Sequence, residues 1–122
     1  MGNATNKESI KLRTKQFALR IIQLVQSLPK NPTAAVIGHQ LLRSGTSVGA
    51  NYRSACRARS TADFISKMGI VEEEADESLF WMELLVENNL MKKEKLKLLM
   101  QEADEILAIT VSSIKTAKSR KK

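Results

Sequence analysis

Residues 38–61 read GHQLLRSGTSVGANYRSACRARST, and the architecture depends on whether this stretch forms one helix or two. It carries His39, Arg43, Arg53, Arg57 and Arg59 and no acid, and its middle, residues 44–51, is a run of small side chains around Val48. Gly45 and Gly49 each disfavour a helix by about 1 kcal/mol relative to alanine, so local propensity predicts a turn. The longer pattern predicts the opposite. At about 100° per residue, Ile37, Leu41, Val48, Tyr52 and Ala55 share one side, while His39, Arg43, Arg53 and Arg57 fall within about 80° of one another on a second. A seam and a basic edge that keep phase across the weak part predict a continuous helix over residues 33–58. Its small-residue run would then let a neighbouring helix approach closely.

Three further helical patterns flank this one. Ile10, Thr14, Phe17, Ile21, Val25 and Leu28 give a seam for a helix over residues 7–27, with Asn6 as N-cap and Leu28-Pro29 as its stop. Asn31-Pro32 reads as the next helix start. Ser60 and Asp63, three residues apart, resemble a capping box and open a helix over residues 61–88. Its seam is Phe64, Met68, Val71, Ala75, Ser78, Met82 and Leu85; Glu72, Asp76, Glu83 and Glu87 form a separate acidic stripe, with Glu73 and Glu77 beside it. Asn88-Asn89 suits a helix end, because asparagine tolerates the left-handed conformation. The last pattern, residues 92–118, is seamed by Leu96, Leu99, Ala103, Ile106, Thr110, Ile114 and Ala117, and residues 115–122 add a basic tail. Four helices with short connections predict an all-α chain, a single antiparallel up-and-down four-helix bundle over residues 1–122.

Composition agrees with that expectation. Of 122 residues 43% are hydrophobic and only 4% aromatic, a balance suited to a core of Leu, Ile, Val, Ala and Met. The single cysteine, Cys56, allows no internal disulfide and fits a reducing cytoplasm, where it reads as a small buried hydrophobe. The first nine residues, MGNATNKES, lack the apolar stretch of a signal peptide, and no apolar run approaches the ~18 residues of a membrane helix. The net charge of +7 is unevenly spread. Residues 1–29 carry +4, 30–59 carry +5, 60–91 carry −7 and 92–122 carry +5.

The residue patterns of known reaction chemistries are missing from the sequence. A di-iron bundle needs glutamates from two helices and Glu-x-x-His pairs from the others, yet the chain has one histidine. Zinc fails for the same reason, with one Cys and one His. No arginine precedes His39 within six residues, as a helical ribonuclease site of that kind would require, and no Gly-x-Gly-x-x-Gly or Walker pattern occurs. The expectation is a protein without enzymatic activity, cofactor or metal, with His39 one more polar residue on the basic edge.

The motifs taken together resemble a known family. Residues 41–51, LLRSGTSVGAN, with Ser27-Leu28-Pro29 ahead of them and Ala62-Asp63-Phe64-Ile65 leading the acidic helix, resemble the bacterial four helix bundle protein family. That family was first noticed in intervening sequences of 23S ribosomal RNA genes, and the likeness spans roughly residues 13–117. The resemblance implies a small bundle that assembles into a ring, a homopentamer in relatives. It also implies a relation to the accessory variability determinants of diversity-generating retroelements, which bind a reverse transcriptase and nucleic acid through a basic surface.

Two functions compete. In the first, Arg43, Arg53, Arg57 and Arg59, with Lys11, Lys15 and the tail behind them, neutralise the phosphates of RNA or DNA without aromatic stacking. In the second, the chain is an assembly or adaptor protein whose basic helix-two edge pairs with the acidic helix-three stripe, within a subunit or across a ring. In either, Phe80, Trp81 and Leu84 make helix three apolar on both flanks, which predicts a self-association surface.

Overall fold

The computed structural model describes residues 6–120. Among these, four α-helices and no strand are present: α1 (Lys7–Gln26), α2 (Pro32–Cys56), α3 (Thr61–Glu87) and α4 (Lys93–Arg120). Residues 1–5 and Lys121–Lys122, the last part of the expected basic tail, lie outside the described residues. Within it, Lys115, Lys118 and Arg120 ride on α4, which continues two residues past the expected end.

Each boundary has a local cause. Asn6 Oδ1 accepts from the Ser9 amide at 2.9 Å, and Asn31 Oδ1 from the Ala34 amide at 2.8 Å with Pro32 in the first turn. Ser60 Oγ accepts from the Asp63 amide at 3.0 Å. The return bond differs from a standard capping box, because Asp63 Oδ2 accepts from the Arg59 amide at 3.2 Å rather than from that of Ser60. Asn89 leaves α3 at φ 57°, the left-handed conformation.

Helix α2 runs unbroken through its small-residue segment, and packing explains why. Built onto Gly45, a Cβ would fall 2.8 Å from both Cγ atoms of Ile21; onto Gly49, 3.2 Å from the Thr14 carbonyl oxygen. These glycines are where α1 lies against α2, and side chains there would hold the helices apart. Tertiary contact overrides propensity. The order of contacts, Gly38 against Leu28, Gly45 against Ile21 and Gly49 against Thr14, also fixes the two helices as antiparallel.

The core joins Phe17, Ile21, Leu41, Val48, Met68, Val71, Met82, Leu85 and Leu96, all fully buried. Phe64, expected on the seam, is only half-buried, whereas Leu79 is buried. Between α2 and α3 the hydroxyls of Ser44 and Ser78 meet at 3.0 Å in the interior, and no buried side-chain polar atom among the described residues lacks a partner. Successive helices pack extensively, but α1 and α4 touch sparingly. The bundle is therefore open along one edge.

Candidate nucleic-acid interface

Helix α2 directs its basic edge to several different places. Arg43 turns onto α3, where its guanidinium pairs with Glu77 and reaches Glu74 at 3.3 Å, while its Nε donates to Gln40 at 3.2 Å. Arg53, on the other flank, faces α1. With Lys11 and Lys15 it lines a groove of about 370 Å³ whose remaining lining is Ala18, Thr46, Gly49 and Ala50. Arg57 is exposed near the end of α2, as His39 is near its start. Arg59 lines a separate cleft beside α4.

The α1–α2 groove is the place where three of the expected residues converge, and no acid lines it. The floor is small because the same residues permit the close approach of the two helices. Lys11 pairs with Glu8 at 3.2 Å, but Glu8 is almost fully exposed, so the pair is weak competition for an anion. Lys15 and Arg53 make no ion pair among the described residues. Thr46 spends its hydroxyl proton on the Leu42 carbonyl at 2.7 Å, leaving the three cations as the donors of the groove.

Charges on α3 are arranged in a complementary way. Glu74 and Glu77 face α2 and engage Arg43. The Trp81 indole N–H, donating at 2.9 Å, holds the Glu77 carboxyl below its ordinary range; Arg43 adds to this and burial opposes it. Glu73, Asp76, Glu83 and Glu87 are exposed and make no ion pair among the described residues. The acids thus lie on a helix diagonally across the bundle from α1.

Of the three residues expected to mediate self-association, Phe80 is half exposed and meets Trp81 edge-on, ring centroids 4.9 Å apart. Trp81 and Leu84 are half-buried against the core. Val36 and Ile70 are exposed on α2 and α3, while Leu12, Leu19 and Leu98 are exposed on α1 and α4.

One cross-helix contact had no place in the sequence reading. Arg13 donates from Nε at 3.0 Å and from Nη2 at 2.7 Å to the two carboxylate oxygens of Glu102, and from Nη2 to Glu105 at 2.8 Å. Both Arg13 and Glu102 are largely shielded, at 23% and 19% side-chain exposure. The hydrogen bond to Glu102, foremost, raises the Arg13 pKa. The available signal was indirect: Arg13 precedes seam residue Thr14, and Glu102 and Glu105 bracket seam residue Ala103. Among the described residues no cluster of His, Cys, Asp and Glu is placed to hold a metal ion. No described helix is long and apolar enough to cross a membrane.

This geometry defines a four-helix bundle with a basic groove between its first two helices and acids gathered on its third. A model of the 23S rRNA-intervening sequence protein family matches residues 7–112, and the chain belongs to that family. A crystal structure of a protein of unknown function from the S23 ribosomal protein family of Bacteroides thetaiotaomicron is similar in sequence and fold. It is 39% identical, superimposes with a TM-score of 0.82, and the match covers 87% of this chain and 98% of that one. No functionally curated protein matches.

Proposed function

We propose that this chain is a non-enzymatic, self-associating cytoplasmic protein that binds the phosphate backbone of RNA or DNA through the α1–α2 face. The observation carrying this reading is the acid-free groove in which Lys11, Lys15 and Arg53 converge from two helices. Arg57 extends the same exposed face of α2, and Arg43 contributes least because Glu74 and Glu77 already neutralise it. With no aromatic in the groove, binding is sequence-tolerant and electrostatic.

Exposed apolar side chains on all four helices support self-association. Val36, Ile70 and Phe80 are carried by α2 and α3, and Leu12, Leu19 and Leu98 by α1 and α4. Apolar side chains on two different helix pairs suit a heterologous contact that closes into a ring, five-membered by resemblance to the family. A ring would repeat the groove and turn a weak site into a polyvalent one.

Fluorescence anisotropy with a labelled ribosomal RNA fragment and with duplex DNA tests the reading. If each groove neutralises about three phosphates, log affinity for duplex should fall against log salt with a slope near −2.7 per groove engaged. Lys15→Glu with Arg53→Glu should weaken binding at least tenfold and flatten the slope, with the oligomer unchanged by light scattering. Affinity indifferent to salt would refute phosphate neutralisation. Loss of the oligomer in this double variant would instead favour the assembly reading, in which the groove receives the free α3 acids of another copy.

A further inference from the structure

A second cleft lies at the end of the bundle where α1 begins, α2 gives way to α3 and α4 ends. Its volume is about 960 Å³, and none of its lining residues belongs to the α1–α2 groove. Lys7 from α1, Arg59 from the α2–α3 connection and Arg120 from α4 reach it from three separate elements. None of the three makes an ion pair among the described residues, and no acid lines the cleft.

The interior of the cleft differs from the groove in a way that selects a ligand. Tyr52 and Phe64, two of the chain's five aromatic side chains, line it together with Ile109. Burial, foremost, and contact with the Cys56 thiol push the Tyr52 phenol pKa up, so the ring stays neutral. Ser112, Ser113 and Thr116 add hydroxyls along α4. An apolar, partly aromatic floor, a row of hydroxyls and a cationic rim match a planar body carrying polar edges and a phosphate.

We propose that this cleft binds a phosphorylated nucleoside, either a free nucleotide or the terminal nucleotide of a strand. The base packs against Phe64 and Ile109, the α4 hydroxyls meet the sugar or base edge, and Arg59, Lys7 and Arg120 hold the phosphate. Nothing in this assignment requires the groove to bind nucleic acid.

The test is a titration of the whole protein with AMP, adenosine and inorganic phosphate, followed by ¹H–¹⁵N NMR. AMP should move the amides of Arg59, Phe64 and Ile109 saturably, with adenosine and phosphate each at least roughly tenfold weaker, because each lacks half of the recognised ligand. Arg59→Glu should weaken AMP about tenfold or more, and Ser112→Trp, at an exposed position on the cleft wall, should abolish binding with the thermal melt unchanged. Lys15→Glu with Arg53→Glu should leave AMP affinity intact, so failure of the groove reading and failure of this one are separable. Displacement of AMP by a 5′-phosphorylated oligonucleotide but not by its 5′-hydroxyl counterpart identifies a strand end; displacement by neither identifies the free nucleotide. AMP shifts confined to the α1–α2 groove, or adenosine or phosphate binding as tightly as AMP, would overturn the proposal.

Discussion

Replacing Gly45 by alanine sets two energies of opposite sign against each other, and the structure decides between them. Helix propensity favours alanine over glycine by about 1 kcal/mol. Against it, the new Cβ would lie 2.8 Å from Cγ1 and Cγ2 of Ile21 and 3.1 Å from its Cβ. Carbons pack comfortably at about 3.5–4.0 Å, so the methyl overlaps Ile21 by roughly 0.7 Å at its nearest atoms. Ile21 is fully buried and β-branched, with essentially one χ1 rotamer in a helix, and cannot swing away. The remaining relief is to separate α1 from α2, an overpacking penalty of about 1–3 kcal/mol. We therefore expect Gly45→Ala to lose about 1 kcal/mol net, a fall of about 4 °C in Tm. Gly69→Ala is the control, because nothing lies within 4 Å of its new Cβ; it should gain about 1 kcal/mol. Urea denaturation with matched m-values reads both changes. In an Ile21→Ala background the Gly45→Ala penalty should shrink, giving a coupling of roughly 1–2 kcal/mol. Equal gains from Gly45→Ala and Gly69→Ala would refute the claim that glycine is required for close approach.

Three further outcomes follow from the polar contacts. Arg13→Ala should destabilise the fold by about 1.5–3 kcal/mol, the range for hydrogen bonds to charged groups, because it leaves the shielded Glu102 carboxylate without its fork; a loss below about 0.5 kcal/mol by urea melt would mean that this fork does not hold α4 to α1. The Glu77 carboxyl is depressed from its ordinary 4.5 in the fold, so its stabilisation is present in full above that value and is lost as pH falls through the lower, folded pKa. Glu77→Gln should therefore flatten part of the stability decline below pH 4.5, measured by thermal melts across pH, and an unchanged profile would contradict the assignment. Ser44→Ala should cost about 1 kcal/mol in the same urea assay, since Ser78 loses a buried partner but keeps its bond to the Glu74 carbonyl at 2.8 Å.

Much of the architecture was legible in local chemistry. Asn6, Asn31 and Ser60 announce helix starts because their side chains cap orphan amides at short range, and Asn89 marks a helix end because it tolerates positive φ. The continuity of α2 was legible for a different reason: the apolar seam on both sides of residues 44–51 held the same phase. The site was read less completely. Helical periodicity places Arg43 and Arg53 on one edge but carries no information on what packs against either flank. Arg43 falls on the α3 flank and is engaged; Arg53 falls on the α1 flank and joins Lys11 and Lys15. Arg13 and Glu102 are separated by 89 positions, and only the assembled bundle brings them together. Arg59 is close in sequence to Tyr52 and Phe64, but only the assembled bundle brings the three against Ile109 and Arg120 of α4, so the cleft they share was invisible in a linear reading.

The glycine run therefore links fold and site causally. Bundles usually separate neighbouring helices with large side chains, which fill the outer groove as well as the seam. Here Gly45 and Gly49 draw α2 onto Ile21 and Thr14, and the outer side of that contact is left with Ala18, Gly49 and Ala50. The cations on the two lips, Lys11 and Lys15 on one and Arg53 on the other, therefore border the same shallow space and face the same stretch of phosphate backbone. Bulkier residues along this contact would separate the lips and divide one basic groove into isolated surface charges, each of little value in salt. Close packing of α1 on α2 is thus a condition for the groove as well as for the core.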